Sequence, residues 1–198
     1  MLGHSLGAGT AVVYTLLFRQ RNPEITVRCH AFGCPAVAST GVWKTESARD
    51  ITAYVLQDDI VPRLSLDTVT HFQRVLAWVS AHRDVHVFRR FPVLLSGAAD
   101  HFQFVARQIT SKFKRPVTLL PPPTVIHLRT SSEDFSEMTT VLAGAELFSQ
   151  LVFSARMLTD HFPWHYETAF NTALSNYGTE SSLDATVAGI AERAASTS

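Results

Sequence analysis

The feature that most constrains this chain is a run of five residues at its start, Gly3-His4-Ser5-Leu6-Gly7, with a helical pattern beginning directly behind it. G-x-S-x-G in that setting describes a serine on a sharp turn feeding a helix, which points to a layered fold of strands and helices. A serine held there has a strained backbone, and side chains two residues to either side are expected to collide with neighbouring chain. Gly3 and Gly7 avoid that collision. The positive end of the following helix favours negative charge, and the Leu6 N–H is a candidate donor to an oxyanion. The plainer reading of the same residues is a glycine-rich helix entry with a capping serine.

Hydrophobic patterning extends the layered reading. Residues 6–21 carry small and apolar side chains (Ala8, Ala11, Val12, Leu16, Leu17) and end at Asn22-Pro23, so they read as a helix pressed on a sheet. Two mostly apolar runs, 25–32 and 51–56, suit buried strands, the first closed by the turn residues Gly33-Cys34-Pro35. Val69, Phe72, Val75, Leu76 and Val79 recur at helical spacing over 65–79. Segments 117–120 and 124–129 read as short strands hinged by Pro121-Pro122-Pro123. After the polar turn 130–137, the apolar run 147–153 leads to Asp160-His161, and Tyr166, Ala169, Phe170, Ala173 and Leu174 mark one last helical face. Near-continuous apolar strands alternating with helices define the fold class as α/β with a mostly parallel sheet. Residues 83–114 mix basic and aromatic side chains without a clear period, and 178–198 turn polar and Ala/Ser-rich, as a frayed tail does.

Composition excludes more than it selects. Seventeen basic residues balance seventeen acidic ones, so no net field recruits nucleic acid or an anionic membrane. With 46% hydrophobic residues and a mean hydropathy of +0.09 the chain can bury one sizeable core. Cys29 and Cys34 lack redox or zinc spacing and read as reduced core thiols. No signal peptide and no uninterrupted apolar span appears, which leaves localisation open. No helix-spaced His/Glu set suggests a metal, and no cofactor motif is present.

A serine nucleophile needs a base and a carboxylate to orient it. Asp58 and Asp59 follow the strand ITAYVL in Gln57-Asp58-Asp59-Ile60-Val61-Pro62-Arg63, where the loops of a parallel sheet gather catalytic groups. Such a pair is also common as a turn or cap. Among nine histidines, position after the strands and before the last helix favours His161, with His165, His127 and His101 as rivals.

Four ordered blocks, GHSLGAG, HAFGCPAVAS, DDIVPRLS and TDHFPWHYETAF, resemble the class 3 (fungal-type) lipases. Within that class PPPTVIHL and SARMLTDHFPWHYETAF, ending in LSNY, are similar to sn-1-specific diacylglycerol lipases. The resemblance implies a partial α/β-hydrolase fold lacking its N-terminal strands. It implies Ser5 as nucleophile, Asp59 as orienting acid and His161 as base, and leaves Asp58 and His165 outside the matched positions.

The implied activity is hydrolysis of a glycerolipid ester at a membrane or lipid surface through an acyl-enzyme, with diacylglycerol cleaved to monoacylglycerol and fatty acid. The alternatives are a triacylglycerol lipase or phospholipase A1-type esterase, and a non-catalytic fragment that binds lipid or a partner. A calcium response is compatible with the resemblance and has no signature in the residues. The expected organisation is the C-terminal part of a lipase domain over 1–177, with an insert at about 64–115 that covers the site or touches lipid, and a tail at 178–198. Because the chain starts two residues before the motif, the strand leading into Ser5 and the loop supplying a second oxyanion N–H are expected to be absent.

Overall fold

The computed structural model describes residues 1–81, 119–132 and 134–177. Most of the expected insert, the rival His101 and the expected tail lie outside the described residues. The core is a five-stranded sheet in the order β1-β2-β3-β4-β5, formed by β1 (Leu2–His4), β2 (Cys29–Phe32), β3 (Ile51–Leu56), β4 (Thr124–Thr130) and β5 (Met138–Ala143). The first four strands run parallel and β5 returns antiparallel on β4. This is the mostly parallel α/β arrangement expected, in partial form.

The expectation that no strand leads into Ser5 is corrected. Leu2–His4 pairs with His30–Phe32 and delivers the chain straight into the turn. Three residues are too few to show any hydrophobic period, which is why the sequence hid this strand. The run 25–32 is in turn a strand only from Cys29, where the His30 N–H meets the Met1 carbonyl and the Cys29 N–H that of Asp50. Of the expected strand 117–120 only 119–120 lie within the described residues, and there Leu120 makes a single antiparallel bridge with Ala38.

Among the described residues helices pack on both faces of the sheet. Helix α1 (Leu6–Arg21) buries Ala8, Gly9, Val12 and Thr15. Ala8 and Val12 join Cys29, Ala31, Cys34 and Ile51 in one cluster, which the short helix α2 (Thr40–Trp43) closes with Trp43. Both cysteines are free and buried, and burial pushes the Cys34 thiol up to about 12. On the opposite face Tyr166, Ala169 and Ala173 of α4 (Pro163–Tyr177) pack with Leu56, Leu128, Phe135 and Met138. Leu174, expected on that face, is exposed. In the chain α3 (Leu66–Ala81) follows β3, its start fixed by Ser65, whose hydroxyl accepts the Thr68 N–H at 3.1 Å. No helix of the described residues is long and apolar enough to cross a membrane.

Candidate active site

The carboxyl ends of β1, β2 and β3 converge on Ser5. Its backbone sits at φ 57° and ψ −129°, a region that costs a non-glycine residue about 1–3 kcal/mol. That strain turns the chain from β1 into α1 within one residue. Although Ser5 is the residue preceding the helix, its hydroxyl makes no capping hydrogen bond. The hydroxyl is instead 2.8 Å from Nε2 of His161, so the capping reading does not describe what it does.

The two glycines of the motif differ in a way their symmetry conceals. A Cβ on Gly3 would overlap the Gly7 carbonyl and approach the Ala8 Cα to 2.8 Å. A Cβ on Gly7 would meet nothing within 4 Å. The expectation that both relieve a collision therefore holds for Gly3 alone, because only the strand-side residue faces the first turn of α1.

His161 ends a 3-10 turn (Thr159–His161) just ahead of α4. Its Nδ1 lies 3.0 Å from each oxygen of Asp59, which fixes the tautomer: Nδ1–H donates to the carboxylate and Nε2 accepts from Ser5. Asp59 is completely buried, and its carboxylate accepts the Val61 N–H at 2.9 Å and the Tyr166 hydroxyl at 2.7 Å. Tyr166 also accepts the Leu56 N–H at 3.1 Å, and burial beside Asp59 holds its phenol proton well above the ordinary tyrosine range. It is thus a permanent donor to Asp59.

The structure brings Ser5, His161 and Asp59 into one hydrogen-bonded line and leaves the rivals elsewhere. Asp58 offers its backbone N–H to Asp160. His127 donates its Nε2–H to the Gln57 carbonyl at 2.9 Å, and burial lowers its pKa. His165 packs against Phe135 at a tilt and edge-on against Phe162 and Trp164. His4 donates Nε2–H to the His161 carbonyl at 2.9 Å, and burial together with the nearby His161 lowers its pKa, so it acts as a neutral donor. Leu6 is largely exposed beside the serine, with its N–H at the positive end of α1.

Two contributors escaped the sequence. Tyr166 reads as one apolar tooth of a helical face, and only its hydroxyl hinted at a buried polar task. Gly33 reads as a turn residue, yet at φ 55° it lies directly beneath Asp59 and His161: a Cβ there would be 2.9 Å from Asp59 Oδ2 and 3.1 Å from His161 Nδ1. Among the described residues no group of three or more His, Cys, Asp or Glu side chains is arranged to hold a metal ion.

A family model described as Lipase (class 3) matches residues 1–69, a span that includes Ser5 and Asp59. Over that span the chain is similar to the class 3 lipases. It is 26% identical to diacylglycerol lipase-alpha of Rattus norvegicus over 206 residues, and the match covers 89% of this chain and 19% of the relative. The diacylglycerol lipase-alpha proteins of Mus musculus and Homo sapiens are 26% and 25% identical, with the same coverage. The lipase-like chain thus spans 19% of the length of the curated relatives it matches.

Proposed function

We propose that this chain carries the reacting centre of a glycerolipid carboxylic-ester hydrolase, with Ser5 as nucleophile, His161 as base and Asp59 as the acid that orients it. The observation that carries the reading is the position of one imidazole, 2.8 Å from the Ser5 hydroxyl through Nε2 and 3.0 Å from the Asp59 carboxylate through Nδ1. Few arrangements other than proton relay from a serine place both ring nitrogens in this way.

Ser5 attacks the ester carbonyl as its proton passes to His161 Nε2, and Asp59 stabilises the imidazolium that forms. The Leu6 N–H at the head of α1 is the donor available to the developing oxyanion. Collapse of the tetrahedral intermediate expels the alcohol with the proton from His161, and water then releases the acyl group by the same steps in reverse roles.

The substrate class follows from likeness to proteins named diacylglycerol lipase-alpha. For this chain the reading is cleavage of diacylglycerol to monoacylglycerol and fatty acid. Exposed Leu158, Phe162 and Trp164, which flank His161 in sequence, are the kind of apolar side chains that tolerate an acyl chain alongside. The test is release of fatty acid from diacylglycerol, triacylglycerol and phospholipid presented in the same micelles, with Ser5→Ala as control. Fastest turnover on diacylglycerol, abolished in the control, is expected. Preference for phospholipid or triacylglycerol would overturn the substrate assignment, and no release from any ester by folded chain would leave a non-catalytic lipid-binding fragment as the better reading.

A further inference from the structure

The residue before His161 is a completely buried aspartate that the reaction scheme does not use. Asp160 Oδ2 accepts the backbone N–H of Asp58 at 3.1 Å, and Oδ1 takes the Nε–H of Arg156 at 3.3 Å. The Arg156 guanidinium is itself seated 5.3 Å above the Phe135 ring. Three consecutive residues of one loop therefore meet the other: Asp58 with Asp160, Asp59 with His161, and the Ile60 N–H with the Met157 carbonyl at 3.1 Å. The middle rung is the acid and base of the proposed site.

Burial of a carboxylate is costly, and here the nearby Asp58 charge adds to that cost while the Asp58 N–H and Arg156 offset it. Tyr166 and His161 are the remaining titratable groups around it. An apolar side chain would fill the same volume more cheaply, but it would leave the Asp58 N–H unpaired and the neighbouring Asp59 loop unanchored. The carboxylate acts where an error of a few tenths of an ångström reaches the His161 ring.

We propose that Asp160 is a positioning residue, which fixes the separation of Asp59 and His161 by clamping the Asp58 backbone, with Arg156 holding the clamp. The inference rests on the hydrolase function proposed above. Asp160→Asn keeps a carbonyl oxygen for the Asp58 N–H and loses the charge, whereas Asp160→Ala loses both.

The experiment measures kcat and KM of the full chain and these variants on a soluble short-chain nitrophenyl ester, each normalised to fluorophosphonate-titrated sites. Alanine is expected to lower kcat by about tenfold or more with KM within about twofold, and asparagine to return to within about fivefold of wild type. A residue that merely supports folding would lower the titrated fraction and leave kcat per site unchanged, which overturns the proposal; so does a rise in KM at constant kcat. The far-downfield NMR resonance of the His161 Nδ1 proton gives a reading independent of turnover. It is expected in wild type and Asp160→Asn and absent in Asp160→Ala, and its persistence in the alanine variant contradicts the clamp. Hydrolysis surviving in Ser5→Ala would instead overturn the hydrolase reading, with the resonance still deciding whether Asp160 holds the pair.

Discussion

Replacing Gly33 by alanine tests whether Asp59 and His161, the proposed acid and base, are held by the backbone beneath them. At φ 55° an alanine costs about 1–2 kcal/mol before any contact is counted. Its Cβ would stand 2.9 Å from Asp59 Oδ2, where ordinary contact begins at 3.4 Å, so the carboxylate must retreat by about 0.5 Å. Retreat is resisted, because Oδ1 is tied to the Val61 N–H at 2.9 Å and Oδ2 to the Tyr166 hydroxyl at 2.7 Å. The same methyl group would lie 3.1 Å from His161 Nδ1 and Cε1, pressing the ring away from Asp59. Misplacement of an ångström can cost a hundredfold in rate, so the expected loss is about ten- to a hundredfold. The assay is the second-order rate of fluorophosphonate labelling, with denaturant unfolding run alongside to show that the variant is folded. A folded Gly33→Ala that labels within about twofold of wild type would refute the reasoning, since a shift of that size cannot be silent if the pair is the reacting centre.

Tyr166→Phe removes a donor to a buried carboxylate and leaves the Leu56 N–H without its partner, an expected loss of about 2–3 kcal/mol in urea unfolding. Because the folded phenol is held above an unfolded tyrosine's value of about 10, its contribution is complete below that pH and is lost as pH rises further, since the unfolded chain ionises first. The wild-type midpoint should accordingly fall more steeply above about pH 10 than that of Tyr166→Phe; parallel curves would contradict this. In the GHSLG turn, Gly3→Ala should lower the urea midpoint sharply, because its Cβ meets backbone of Gly7 and Ala8. Gly7→Ala should raise the unfolding free energy by up to about 1 kcal/mol through helix propensity, and equal effects of the two would be inconsistent with the structure.

What the sequence revealed was whatever is encoded over short distances. α1 and β3 carry complete patterns of their own, and their bounds read directly from small and β-branched residues. Strand β5 went unread because MTTVLA follows a polar turn with no hydrophobic partner pattern nearby; it is a strand because β4 offers it a free edge. The motif glycines looked equivalent because their chain neighbours are alike, and only the packing of β1 on α1 separates them. Ser5, Asp59 and His161 could be proposed one at a time, from a turn, a strand end and a helix start. Their mutual distances, the support from Tyr166 and the floor provided by Gly33 depend on contacts more than a hundred positions apart in the chain and have no local signature.

The most direct test of the central claim is reaction of the purified chain with a fluorophosphonate probe, followed by peptide mapping, in wild type, Ser5→Ala and His161→Ala. The account predicts a single adduct on Ser5 that is lost in both variants. A folded wild-type chain that takes up no label, or a label mapped to another serine, would contradict it.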